Sequence, residues 1–319
     1  MMALYNNALL LSLCCLAPLS ASANDALTVY GKLNLSLQVN KMQGESETLV
    51  KSNSSRLGVK GQMAVNDQLT AFYTVEYEVD TDSAVKENFK ARNQFVGLKG
   101  DFGALTLGRN DTMLKKSQGK VDLFSDLDGD LKQLFKGDNR MAQTVSYQTP
   151  KLGGLSLGLT YIAKGDSGQS YETQVGETLI EKSTDGVSIG ARYGDTKLKS
   201  SSLYAALAYD AKVKGYDILR ASLQGRIADI TLGGMFQQQE KIDSGLQRRG
   251  YLLSAAYPLF AVKLKTQYQH MDDKGSSWSV GADYQAAKAT KVYTFYTQRD
   301  PDGLSKPDRF LGIGLSQRF

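Results

Sequence analysis

Beyond residue 23 this chain has no cysteine; Cys14 and Cys15 both stand in an apolar opening stretch. Disulfides and thiolate metal centres are therefore excluded from the rest. A single histidine and the lack of any Cys/His spacing leave no metal site to read, and no phosphate-loop or dinucleotide fingerprint is present. The chain reads as neither an enzyme nor a cofactor binder. Beyond the opening, no segment approaches the roughly 18 uninterrupted apolar residues of a membrane helix. Charge of one sign is also lacking: 38 basic residues face 33 acidic ones. That excess is too small to argue for nucleic acid, but spread along a pore wall it would tilt ion selectivity. With only 5 prolines and no low-complexity linker, the chain reads as one domain.

The opening stretch has the form of an export signal. Ala8 to Leu19 is mostly apolar, and Ala21-Ser22-Ala23 is a small-x-small cleavage site before Asn24. Residues 1–23 are expected to be removed, leaving 24–319 as the working domain. The only positive charge ahead of the apolar stretch is the amino terminus, a departure from the usual signal. Leu13 before Cys14 argues against a lipoprotein reading, which needs a small residue there.

What the chain does have is alternation. Leu27, Val29, Leu33, Leu35, Leu37 and Val39 share one parity, and Thr28, Tyr30, Lys32, Asn34, Ser36 and Gln38 share the other. A period of two places these sets on opposite faces of a strand. The last residues, Arg309 to Phe319, alternate in the same way and end on an aromatic carboxyl terminus. An exported chain that begins and ends in such strands can close on itself, and only a sheet without edges satisfies its backbone in lipid. The fold class read here is all-β, a transmembrane antiparallel barrel in the outer membrane, its apolar face toward lipid.

Turn signals every ten to fourteen residues divide the chain into about sixteen strands of membrane-spanning length. Short turns at 66, 101, 151, 195, 227, 258 and 287 alternate with longer polar loops at 41–53, 81–88, 111–138, 165–183, 241–247 and 300–307. Two further connections, near 212–215 and 272–276, are short for that second set. About sixteen strands make a ring too wide for side chains to fill, which leaves an aqueous lumen. Long charged groups on the polar parity, among them Lys32, Arg56, Lys60, Lys263 and Lys265, fit such a wet face. Tyr73, Tyr77, Tyr257, Phe260, Tyr293 and Phe295 are candidates for the aromatic girdles at the membrane surfaces.

Several segments in order resemble the general-diffusion porins of Gram-negative bacteria. They are Val29-Tyr30-Gly31-Lys32-Leu33, Ser55-Arg56-Leu57-Gly58-Val59-Lys60-Gly61, Arg92 to Lys99, Leu107-Gly108-Arg109-Asn110, Arg140 to Pro150 and the terminal Phe319. The resemblance covers essentially the whole chain after the signal. It implies a homotrimer of sixteen-stranded barrels, each with its own channel for passive diffusion of ions and small hydrophilic solutes. It further implies a third loop folded into the barrel, facing a ladder of basic side chains. The matching wall positions are Lys32, Arg56, Arg92 and Arg140. The third loop is 111–138, with acidic candidates Asp122, Asp126, Asp128 and Asp130. It departs from the enterobacterial Pro-Glu-Phe-Gly-Gly tip. Phe319 matches the family's C-terminal assembly signal. Arg109 has the outward parity of Leu105 and Leu107, which makes it a candidate for contact with a neighbouring subunit or for snorkelling to the headgroups.

Other chemistry was weighed at the same residues. Asp126-x-Asp128-x-Asp130 opens like a calcium loop, but Leu131 and Gly137 occupy the positions that need glycine and glutamate. His270 at a strand end beside Met271-Asp272-Asp273 reads as solvated rather than as a catalytic base. A solute-selective porin would want an aromatic slide in the lumen, yet Trp278 shares the outward parity of Val280 and Ala282. A non-conducting barrel serving as adhesin or anchor would have a plugged lumen, and a soluble secreted sandwich would turn its apolar face inward.

Overall fold

The computed structural model describes residues 27–84, 87–175 and 178–319; the expected export signal lies outside the described residues. The strands before the third loop are β1 (Thr28–Met42), β2 (Glu45–Ser52), β3 (Arg56–Asn66), β4 (Leu69–Val79), β5 (Phe89–Gly100) and β6 (Gly103–Asp111). A short helix α1 (Met113–Ser117) and a 3-10 turn (Leu131–Gln133) lie within that loop. After it come β7 (Arg140–Gln148), β8 (Leu155–Ile162), β9 (Tyr171–Val175), β10 (Thr178–Lys182), β11 (Gly186–Gly194), β12 (Leu203–Val213) and β13 (Tyr216–Ile227). The remainder is β14 (Ile230–Lys241), β15 (Gln247–Leu259), β16 (Val262–Met271), β17 (Gly275–Gln285), β18 (Thr290–Pro301) and β19 (Asp308–Arg318).

Seventeen of these strands form one antiparallel sheet, in which β8 pairs with β11, and β9–β10 stand apart as a loop hairpin. β2 and β3 both pair with β1, along different parts of its length, so they are one crossing broken at residues 53–55 and the barrel has 16 strands. At the break, Ser54 has a φ of 54°, and Asn34 and Ser55 fill the gap with a 3.0 Å bond from the Asn34 N–H to the Ser55 hydroxyl. The ring closes where β1 pairs with β19, from Lys32 opposite Arg318 to Lys41 opposite Arg309. Phe319 extends that seam: Gly31 N–H donates to its carbonyl at 3.0 Å and its own N–H donates back to Gly31 at 3.2 Å. The Phe319 ring occupies the space that a Cβ on residue 31 would need, which is why glycine stands there.

Burial runs inside-out relative to a soluble protein. In β1 the polar residues Asn34, Ser36, Gln38 and Asn40 are buried, while Val29, Leu33, Leu37 and Val39 are exposed. The same inversion recurs around the ring, for example with Ser222 and Gln224 against Leu219 and Leu223. An apolar belt facing outward and hydrogen-bonded polar groups facing inward suit a hydrocarbon solvent.

Two expectations are corrected. The segment 41–53 is not an irregular loop: β1 and β2 continue their ladder up to Met42 opposite Glu45, joined across Gln43-Gly44. Polar residues on both faces of this extension removed the alternation that marks a half-buried strand. Tyr293 and Phe295 do not belong to a surface girdle; both are buried on the inward face of β18. They fit because Gly312 and Gly314 lie beside their rings on β19, where a Cβ would collide with them. Tyr77, Tyr257 and Phe260 are exposed, as girdle residues require.

Leu207 lies mid-strand on the outward face of β12. Leu207→Arg is expected to lower folding stability in bilayers by about 2–4 kcal/mol, read as a shift in the denaturant midpoint of folding into lipid vesicles.

Candidate functional site

The longest excursion from the sheet is the segment between β6 and β7, and its contacts place it inside the ring. It leaves β6 through Thr112, whose side chain caps α1 by accepting from the Lys115 N–H at 3.3 Å. From there it follows the polar parity of one strand after another. Leu114 N–H donates to Ser188 on β11, and Ser254 on β15 donates to the Val121 carbonyl at 2.6 Å. Gln267 on β16 accepts from Leu123 N–H and donates to the Gly129 carbonyl.

Hydrogen bonds orient the segment, and apolar contacts hold it. Among these polar inward faces stand a few apolar residues, and the loop docks on them. Val121, Leu131, Leu134 and Phe135 pack on Met235, Leu252 and Met271. Phe124 and Leu127 pack on Tyr293, Phe295 and Phe310. Leu114 meets Ala208 and Ile218. Each such large side chain fully withdrawn from water contributes roughly 1.5–3 kcal/mol. Arg220 on β13 is fully buried beneath the loop and ties its two limbs together, donating to the carbonyls of Leu114 at 3.4 Å and Lys136 at 2.9 Å.

The loop tip meets the opposite wall through Asp126. This residue has a φ of 72°, a left-handed conformation that aspartate tolerates, and its N–H donates to Asp130 at 2.8 Å. Its carboxylate takes Lys32 at 3.0 Å and Arg56 at 3.3 Å. The two cations hold the Asp126 carboxyl below its ordinary range against the opposing effect of burial. Arg92 is held on the wall itself, at 2.6 Å from Glu76 and 2.8 Å from Glu78. Arg140 pairs with Asp111 at 3.0 Å and also contacts Asn93. All four expected wall cations line the two main cavities of the lumen, of about 470 and 590 Å³.

The four expected aspartates do not act alike. Asp126 lines both cavities and Asp130 lines the larger. Asp122 does not face the lumen: it is buried, accepting the N–H groups of Phe124 at 2.9 Å and Leu131 at 3.0 Å. Burial first, and Asp130 second, push its carboxyl up to about 7. Asp128 lines neither cavity and meets Lys51 at 2.6 Å. A tight acidic turn uses its carboxylates to satisfy its own backbone, so spacing could not tell which would remain for the channel.

Cations were missed as well. The larger cavity is also lined by Lys115, Lys116, Lys120 and Lys132 from the loop and by Arg192 from β11. The smaller adds Lys265, Lys291 and Arg318. Together the larger has eight basic groups to five acidic, and the smaller six to three. Counting every basic side chain on loop 111–138, not only its acids, would have found the four lysines. Arg109 keeps its outward parity, opposite Gln94, and its Nε has no hydrogen-bond partner. His270 is partly exposed beside Tyr251, with Asp272 at 3.5 Å. Trp278 faces outward.

The sequence profile of the Gram-negative porins matches residues 9–304. The chain belongs to that family. Outer membrane protein F of Serratia marcescens is 27% identical over 308 residues, covering 85% of this chain and 80% of that protein. The anion-selective porin from Comamonas acidovorans superposes with a TM-score of 0.71 at 21% identity, covering 92% of this chain and 99% of its own. The trimer form of OmpT from Vibrio cholerae gives 0.61 at 17% identity, covering 92% and 100%. The protein is thus an outer-membrane porin, a channel and not an enzyme.

Phe124 is the apolar anchor next to the tip, fully buried. Phe124→Ala is expected to weaken the docking of the loop by about 3–5 kcal/mol. The measurement is single-channel recording, where the variant should show larger or noisier openings than the parent.

Proposed function

We propose that this porin is a homotrimer of water-filled channels that pass ions and small hydrophilic solutes passively and favour anions. The observation that carries the anion preference is the charge of the lumen at its narrow part, where basic groups outnumber acidic ones in both cavities. A narrow aqueous passage with low-dielectric walls focuses such a field and concentrates counter-ions. The constriction is assigned to Lys32, Arg56, Arg92 and Arg140 on the wall and to Asp126, with Asp130 behind it, on the loop. Asp126 is spent on two of those cations, so it offsets the wall's charge rather than presenting a free negative face to it. A structural neighbour described as anion-selective agrees with this sign.

Trimerisation is supported by the neighbour in trimer form, and Arg109, outward on β6, is assigned to contact with the next subunit. Export by a signal ending at Ala23, and recognition of Phe319 during assembly, complete the reading.

Planar-bilayer recording in a potassium chloride gradient tests the selectivity. The reversal potential is expected to have the sign of chloride preference and to shrink in Arg56→Gln and Arg140→Gln. A sign favouring potassium would refute the reading. Burial pushes the Lys116 ammonium down to about 8, Asp111 opposing and Arg192 assisting. Its charge is present below that pH and lost above it. Anion preference is therefore expected to fall as pH is raised from about 7 to about 9.

A further inference from the structure

Three cations in the larger cavity lack a carboxylate partner among the described residues. Arg56 has Asp126, Arg92 has Glu76 and Glu78, Lys115 has Asp111 and Asp138, Lys132 has Asp130, and Arg140 has Asp111. Lys116 and Lys120 have no such contact, and Arg192 reaches only the Gln148 side-chain oxygen at 2.6 Å. Lys116 lies in the last turn of α1 and Lys120 three residues beyond its end, and both line the cavity from the loop. Arg192 stands on the inner face of β11, the strand to which Ser188 pins that limb. Arg192 acts against the charge of Lys116, and Asp111 acts in its favour. Gln118 and Thr196 line the same cavity and add neutral hydrogen-bonding groups.

We propose that Lys116, Lys120 and Arg192 form a binding subsite for small dianionic oxyanions, the class to which hydrogen phosphate belongs. The subsite rests on the anion-preferring reading above and narrows it from a sign of charge to a class of solute. A chloride brings a single charge and one acceptor atom to these three cations. A dianion with several oxygens can accept from two ammonium groups and a guanidinium fork at once. Such a ligand would offset the like charges of Lys116 and Arg192. Its placement on the loop that narrows the lumen makes a bound anion an obstacle to chloride current.

The test titrates inorganic phosphate at pH 7 against chloride current through single trimers. The parent channel should show a saturable block. In the double variant Lys116→Gln with Lys120→Gln, the half-blocking concentration should rise by about tenfold or more, as expected for lost charge-assisted bonds. The double variant Lys116→Arg with Lys120→Arg should retain the block, and unitary conductance reports that each variant has folded and inserted. Absence of saturable block in the parent, or an unchanged block in the glutamine variant, would overturn the subsite. The broader reading fails by a different result, a reversal potential favouring potassium in phosphate-free chloride.

Discussion

Backbone hydrogen bonding in a solvent that offers none is the constraint on which this molecule depends. Lipid cannot satisfy an exposed N–H or C=O, so the sheet has to close, and here it closes between β1 and β19 with Phe319 and Gly31 completing the seam. Closure fixes the rest. Apolar residues have to face out, which leaves the polar parity to line the interior. A ring of 16 strands is too wide for those side chains to meet across it. The resulting space is a channel unless something else enters it.

What enters is one loop, and its position is set by exceptions to the polar lining. Ile218, Met235, Leu252, Met271, Phe295 and Phe310 all point inward, and each lies under an apolar loop residue. Arg220 adds a buried fork that donates to carbonyls near the two ends of the excursion. Only with the loop seated this way does Asp126 reach Lys32 and Arg56, and only then do Lys116 and Lys120 line the lumen. Packing thus decides electrostatics: the same footholds that narrow the channel choose which charges it presents.

Most of the barrel was legible because period two survives wherever one face meets lipid and the other meets water, as in β1 and β19. The extension of β1 and β2 was not, because Glu45, Ser46, Glu47 and Thr48 are exposed on both faces and carry no alternation. Tyr293 and Phe295 misled for a related reason. Aromatics near strand ends suggest a girdle, but their parity matches Thr297, and the glycines opposite them mark an inward pocket. At the candidate site the wall cations followed from order and spacing in a family pattern. The fate of each aspartate did not, since Asp122 is consumed by backbone N–H groups and Asp128 by Lys51, partners that only the folded loop brings near.

The central claim is that the loop lies inside the ring with its exposed tip in a net positive field. Ser125 is exposed, adjoins Asp126 and lines both cavities. A single cysteine placed there by Ser125→Cys, in a chain with no other cysteine beyond residue 23, reports both properties at once. Thiol reagents of equal size and opposite charge should both reach it and lower the current, the anionic one several-fold faster. Faster reaction with the cationic reagent, or modification without any change in current, would contradict the account.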